Sequence, residues 1–292
     1  MPFATIDGIS TRYDVVGSGP PLLMYSPGGF DATIEKWTTQ GIYAHIRPVE
    51  HLSTHFSCIV FDRRECGESG GRVEPLSWMR YAMQGRGLLD HLKIDRAHVM
   101  GACMGCSPAM AMAVAYPGVV SSLLLYWPVG GAHYRMNSYA RFAEHLTFVQ
   151  EQGLAAVVAR AESEGKPFNQ DNRSGPWASV LKRDREFAQA YARQKVEVYK
   201  SLVSASRDTL FDRDTAPGAR PEELLKLNVP TLIVPGRDKT HATSAARYLE
   251  ECIPNAEYWD ALPEQQTAEA APARLLSFMA DGGQGMLHGG PR

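Results

Sequence analysis

Val99-Met100-Gly101-Ala102-Cys103-Met104-Gly105-Cys106 is the stretch on which the reading of this chain turns. An apolar run ends in it, two glycines frame a single nucleophilic side chain, and small and apolar residues follow from Ser107 to Tyr116. The pattern predicts a buried strand, a tight turn and a helix. At such a junction the central residue is forced into a strained backbone conformation, and its side chain stands clear above the sheet edge. Gly101 and Gly105 provide the small neighbours needed where strand and helix pass closely. Cys103 becomes the candidate nucleophile, because a thiolate attacks carbonyl carbon well once a base, a cation or a helix N-terminus lowers its pKa. The competing reading is a small core cysteine, since free cysteine is among the most buried residue types.

Working outward, strands and helices alternate on both sides of this turn. Phe3–Ile6 and Ser10–Val16 alternate as two short strands about Asp7-Gly8, a hairpin signal. Pro21–Ser26 and Cys58–Asp62 are continuous apolar runs, as strands covered on both faces should be. A helical stretch runs from Trp37 to His51, interrupted at Pro48, and another from Trp78 to Leu92. Val120–Trp127 is a further strand, ended by Pro128. Residues 130–222 then hold helical patterns around 139–152, 154–165 and 183–206, without a strand. Strand character resumes at 229–236 and 256–262, with helices at 243–252 and 268–279, and a glycine-rich tail at 281–292 is expected to be mobile. Strands alternating with helices predict an α/β fold with a mostly parallel, doubly wound sheet. The core is expected over 1–129 and 223–280, with 130–222 as an inserted helical cap overhanging the strand C-terminal ends, where ligands bind in open sheets.

Composition narrows the function classes. With 292 residues, 44% hydrophobic and 21% charged, the chain is ordinary for a globular enzyme. A net charge of −2 gives no basic field for nucleic acid or an anionic membrane. No apolar run approaches the ~20 residues of a membrane span, and the N-terminal residues show no secretory pattern. Five scattered cysteines fit reduced thiols and a cytoplasmic setting. Cys103 and Cys106 also form a C-x-x-C pair, but Cys106 falls in the first helical turn and points elsewhere. A redox dithiol and a zinc site are therefore the weaker readings.

Four features occur in order: Pro27-Gly28-Gly29-Phe30 after an early strand, Asp62-Arg63-Arg64-Glu65-Cys66-Gly67-Glu68-Ser69 after the next, the elbow at Cys103, and Gly236-Arg237-Asp238 after a late strand. Together they resemble the α/β-hydrolase family over nearly the whole chain except the tail. Family members commonly carry glycine where Glu65 stands, and serine where Cys103 stands. In that one residue the chain is similar to the dienelactone hydrolases. The resemblance implies Cys103 as nucleophile, with an oxyanion held by the backbone N–H of Met104 and a second one from Gly29 or Phe30. It implies Asp238 as the acid that orients a histidine. The histidine itself departs from the family, whose base follows the last strand. Here that loop is Leu262-Pro263-Glu264-Gln265-Gln266, and Gln265 or Gln266 fills the slot. An amide accepts no proton at neutral pH. His241, three residues after Asp238, is the nearest candidate base, with His133 second and His288 in the tail remote.

Trp127, His133, Tyr134, Arg135 and Trp177 are candidate pocket residues, together with Gln266; Arg135 could meet a substrate carboxylate. The expectation is an esterase-like enzyme that cleaves an ester, lactone, thioester or related acyl bond of a small organic molecule, without metal or organic cofactor. Its partners are the small-molecule substrate and, at most, a second copy in a homodimer. A lyase or C–C bond hydrolase on the same scaffold is the enzymatic alternative. A ligand-binding pseudoenzyme is the other, favoured by the missing histidine.

Overall fold

The computed structural model describes residues 1–284 apart from Asn255. Its centre is an eight-stranded sheet in the order β1-β2-β4-β3-β5-β6-β7-β8. The strands are β1 (Phe3–Ile6), β2 (Ile9–Val16), β3 (Pro21–Tyr25), β4 (Ser57–Phe61), β5 (Ala97–Ala102), β6 (Val120–Tyr126), β7 (Thr231–Val234) and β8 (Ala256–Tyr258). β1 and β2 form a hairpin, β2 runs antiparallel to β4, and every other pairing is parallel. The central strands β3 to β7 are buried along almost their whole length, which is why they read as unbroken apolar runs.

Strand order locates the site. β3 lies between β4 and β5, so the chain steps one way from β3 to β4 and the other way to β5. That reversal opens a crevice at the C-terminal ends of β3 and β5. The turn 27–30 leaves β3 and the Cys103 turn leaves β5 side by side, with Tyr25 paired to Gly101.

The helices are α1 (Lys36–Thr39), α2 (Gly41–Ile46), α3 (Pro48–Leu52), α4 (Trp78–His91), α5 (Cys106–Ala115), α6 (Ala132–Glu164), α7 (Ala178–Arg183), α8 (Arg185–Ala192), α9 (Val196–Leu210), α10 (Pro221–Leu224), α11 (Thr243–Cys252) and α12 (Ala270–Gln284). Three spans differ from the sequence expectation for local reasons. The 37–51 stretch is three short helices, because Arg47 takes a left-handed conformation (φ 43°) and Pro48 restarts the helix. The 183–206 stretch breaks at Asp184, whose extended backbone and side chain cap α8 through Phe187 N at 2.9 Å, and again before Val196. The last helix runs to Gln284, so the expected tail from 281 begins as helix; its remainder, with His288, lies outside the described residues. α6 starts earlier than its periodicity suggested and kinks at Gly153 (φ 75°).

α6 to α9 follow β6 and lie over the crevice. Phe142, Val149, Tyr199, Val203, Leu210 and Phe211 belong to the same buried apolar cluster as the strands. Among the described residues no helix is long and apolar enough to cross a membrane.

Candidate active site

Cys103 begins the turn that leads into α5, and its φ is +55°. A non-glycine residue there costs on the order of 1–3 kcal/mol, which surrounding packing must offset. The packing explains the glycines. A Cβ on Gly101 would lie 2.5 Å from Gly105 O, and one on Gly105 would lie 2.4 Å from Tyr25 O. Strand and helix touch backbone to backbone on either side of Cys103, which leaves its thiol pointing into the crevice end. Cys106 turns away, its thiol donating to Gly101 O at 3.1 Å.

The thiol is 6% exposed. Burial pushes its pKa up; the charge of His241, a contact with the His241 ring, and the backbone N–H groups of Met104 and Gly28 pull it down, and the balance falls below the ordinary thiol value. The other buried thiols show what burial does alone: Cys58 is pushed up to about 12, Cys66 to about 11, and Cys106 well above the usual range. In the 27–30 turn, the Gly28 N–H is the group that favours the Cys103 thiolate. Gly29 has open space beside it, and the Phe30 ring is packed against Phe142 and Phe168.

His241 reaches the thiol from the loop after β7. Asp238 organises that loop: its Oδ1 accepts from the backbone N–H of Thr240 at 2.7 Å and of His241 at 2.8 Å, and its carboxylate holds His241 Nδ1 at 2.9–3.0 Å. With Nδ1 committed to Asp238, the ring meets Cys103 through Nε2, a buried atom with no other partner. That contact lacks the geometry of a full hydrogen bond in the unliganded protein. Burial opposes charge on the ring, but the Cys103 thiolate and Asp238 outweigh it and raise the His241 pKa to about 10. Asp238 is held well below the usual carboxylate range, chiefly by its hydrogen bond with His241. The close fold-back depends on Gly236, where a Cβ would lie 2.5 Å from His241 Cβ.

The slot after β8 holds Gln266, which is fully buried. Its Oε1 accepts from Tyr126 Oη at 2.8 Å and Trp127 Nε1 at 2.7 Å; its Nε2 donates to Pro235 O at 3.1 Å and Ala261 O at 3.0 Å. All four capacities of the amide are spent on protein. Gln266 is therefore no pocket residue; it fixes the ends of β6 and β7. Trp127, in a left-handed conformation (φ 53°), lays its ring 5.4 Å from the His241 ring.

The other sequence candidates divide. Tyr134 is half-buried near the thiol and feels its charge. His133 is exposed, in a surface groove shared with Asp238. Trp177 is a core residue, fully buried between Tyr191 and Tyr199, with Nε1 bonded to Arg72 O at 2.9 Å. Arg135 spends Nε on Phe211 O at 3.1 Å and lies against Tyr139, so it does not face the thiol. Two residues went unnoticed in the sequence. Arg141 is one; it shares a face of α6 with Tyr134 and Ser138 at helical spacing. Arg63 is the other, buried over Tyr81 and Phe30. Asp62 beside it is structural, accepting from Ile34 N at 2.9 Å and Glu68 N at 2.8 Å. Among the described residues no cluster of His, Cys, Asp or Glu could hold a metal ion.

The family model for the alpha/beta hydrolase fold matches residues 23–261, which include Cys103, Asp238 and His241. The chain belongs to the alpha/beta hydrolase fold family. An uncharacterized Mycobacterium tuberculosis protein is 29% identical over 143 residues, 49% of this chain and 39% of that protein. The chain thus spans about two fifths of the length of such curated relatives. A 2-hydroxy-6-oxo-6-(2'-aminophenyl)hexa-2,4-dienoic acid hydrolase of Metapseudomonas resinovorans is 22% identical over 96% of this chain and 91% of its own. Among solved structures, the enol-lactonase of Burkholderia xenovorans LB400 superposes with a TM-score of 0.60 at 20% identity, covering 96% of this chain and all of that one.

Proposed function

We propose that this protein is a hydrolase of small acyl compounds, an ester or lactone in the first place, with Cys103 as nucleophile, His241 as acid and base, and Asp238 as its orienting carboxylate. The observation that carries the reading is the contact of His241 with Cys103, made from the Asp238 loop although the usual histidine slot holds Gln266. The hydrolase names of the Metapseudomonas relative and the Burkholderia structure support the reaction class.

In this mechanism the Cys103 thiolate attacks the acyl carbon and a C–S bond forms. The carbonyl electron pair moves to oxygen, where the N–H groups of Met104 and Gly28 form the oxyanion hole. Collapse breaks the bond to the leaving oxygen, which takes the proton from His241 Nε2. Water then gives a proton back to His241 and attacks the thioester; the C–S bond breaks and the thiolate is restored. One water is consumed per acyl bond. α6 to α9 act as a cap over the site, with 1–129 and 223–280 as the hydrolase core.

Steady turnover of a p-nitrophenyl ester, reduced at least 100-fold by Cys103→Ala and by His241→Ala in variants that melt with the parent, is the expected result. Turnover that survives Cys103→Ala would remove the cysteine from the mechanism. Saturable ligand binding without any turnover would favour a pseudoenzyme.

A further inference from the structure

Charged side chains are seldom buried without a partner, because removing an ion from water costs several kcal/mol unless another group compensates. Two arginines near the site, Arg63 buried and Arg141 half-buried, lack the partner this rule asks for. Arg141, on α6, makes no ion pair or hydrogen bond among the described residues; its Nε is sealed from solvent without a partner, and the guanidinium lies 5.9 Å from the Phe168 ring centre. Arg63 is 5% exposed, its Nε is likewise orphaned, and its hydrogen bond goes to a thiol, Cys66 Sγ at 3.4 Å. Its cation sits over the Tyr81 ring at 4.2 Å and the Phe30 ring at 5.6 Å. The carboxylate whose charge Arg63 feels is Glu65, and Glu65 already takes the Arg64 Nε at 3.0 Å.

The two cations bracket one aromatic wall. Phe30 and Phe168 meet at 5.2 Å, Arg63 lies on the Phe30 side and Arg141 on the Phe168 side. Phe30 follows directly on the Gly28-Gly29 turn whose N–H reaches Cys103. Tyr134 joins the wall to the thiol: it feels the charges of Cys103, Arg141 and Arg63 together. A thiolate, a phenol and two cations that no carboxylate bonds directly among the described residues therefore act on one another at this site.

We infer that the acyl compound this site accepts carries a carboxylate, which Arg141 binds while Arg63 adds positive field from behind Phe30. A guanidinium offers two parallel N–H donors to the two oxygens of a carboxylate. One free guanidinium beside a phenol matches a monoanion better than a phosphate dianion. The inference rests on the hydrolase reading only for the word acyl; the anion site stands on the arginines.

Cys103 itself supplies the probe. Iodoacetamide and iodoacetate place the same CH2 group on sulfur and release iodide, but only iodoacetate carries a carboxylate, which a lone thiolate repels. Rates would be read at each cysteine by mass spectrometry, alongside kcat/KM for p-nitrophenyl acetate and for mono-p-nitrophenyl glutarate. The expected result is that Cys103 reacts faster with iodoacetate, and that the glutarate ester is preferred by about tenfold or more. Arg141→Gln should lower both ratios about tenfold, with Arg141→Lys retaining part of them. Faster reaction with iodoacetamide in the parent, or ratios unchanged in an Arg141→Gln variant that melts with the parent, would overturn the inference. If Arg141→Gln does not fold, the parent's own ratios decide. Inhibition by inorganic phosphate but not by glutarate would overturn the carboxylate assignment. Iodoacetate preference without turnover of either ester would sink the hydrolase reading and leave the anion site. Turnover of both esters without preference would do the reverse. A Cys103 that neither reagent reaches, in a protein that turns over neither ester, would overturn both.

Discussion

Cys103 is the one thiol of the chain that both is buried and has its pKa lowered, and the largest lowering cause is a single neighbour, His241, ahead of the N–H groups of Met104 and Gly28. Without the His241 charge, burial would act on Cys103 as it does on Cys58 and Cys66, whose values rise to about 12 and 11. His241→Ala should therefore move the alkylation midpoint of Cys103 upward by at least one unit, slowing labelling at pH 7 roughly tenfold. Peptide-resolved labelling across pH 5–10 would check this, and a midpoint that stays put would detach the histidine from the thiol. Above pH 10 the direction reverses. The raised His241 value means that the imidazolium is complete below the unfolded value of 6.5 and is lost as pH rises through about 10. Acyl transfer should fall there even though the thiolate persists, because the leaving oxygen loses its proton donor. The places of Cys103, Met104 and Asp238 at the ends of β5 and β7 were legible in the sequence because each sits at a fixed offset from a glycine turn. Gly28 was not separable from Gly29 and Phe30, since all three lie in one turn and its backbone conformation decides which N–H faces the sulfur. Arg141 was hidden for a different reason: an arginine on a helix reads as solvated until the neighbour that fails to neutralise it is known.

The elements explain how His241 reaches the thiol from the loop after β7. β6 runs out into Trp127, whose backbone N–H joins Val234 O of β7 at 2.8 Å, and Gly130 N–H joins Thr240 O at 3.0 Å. The loop that carries Asp238 and His241 is thus stitched to the end of β6, and the Trp127 ring backs the imidazole. Gln266 holds this corner by gripping Tyr126, Trp127 and the carbonyls of Pro235 and Ala261. Its side chain stands in the slot after β8 and positions that corner. Gln266→Leu keeps the volume but leaves two buried donors and two acceptors unpaired, at about 1–3 kcal/mol each for those that find no water. The expected outcome is a melting temperature lower by several degrees together with a raised Cys103 alkylation midpoint. A loss of stability with the midpoint unmoved would show that Gln266 supports the fold and leaves His241 alone. Strand existence was readable from apolar runs, whereas the order of the strands across the sheet was not. The helix ends at Arg47 and Asp184 were not, because a left-handed arginine and an aspartate cap override the amphipathic pattern locally.

At the scale of the molecule, 130–222 is separate in sequence but not in its core. The aromatic wall of the helical block, Phe142, Phe168 and Phe211, continues through Phe30 and Trp78 into the sheet domain. Trp177 Nε1 to Arg72 O at 2.9 Å, Leu76 N to Ser206 Oγ at 2.9 Å and Asn169 Nδ2 to Gly28 O at 3.2 Å fasten the two together. A block that shares its apolar core with the sheet should melt with it in one transition. His145 gives a handle inside the block to test this. It is fully buried, with Nδ1 donating to Arg173 O at 3.3 Å and Nε2 accepting from Tyr199 Oη at 2.6 Å, an arrangement that requires the neutral ring. Burial lowers its pKa to about 4. The unfolded chain, with an ordinary value of 6.5, takes up that proton first, so stability falls as pH drops from 6.5 to 4. The loss is about 3 kcal/mol over that window. His145→Gln keeps a donor and an acceptor but cannot be protonated, so it should lose less stability on acidification than the parent. With a shared core, the acid shift appears as displacement of the whole calorimetric transition, near-UV and far-UV signals moving together. A second, lower transition that splits off at pH 4.5 in the parent and is absent in His145→Gln would show instead that the block unfolds by itself, and that substrate could enter by its opening.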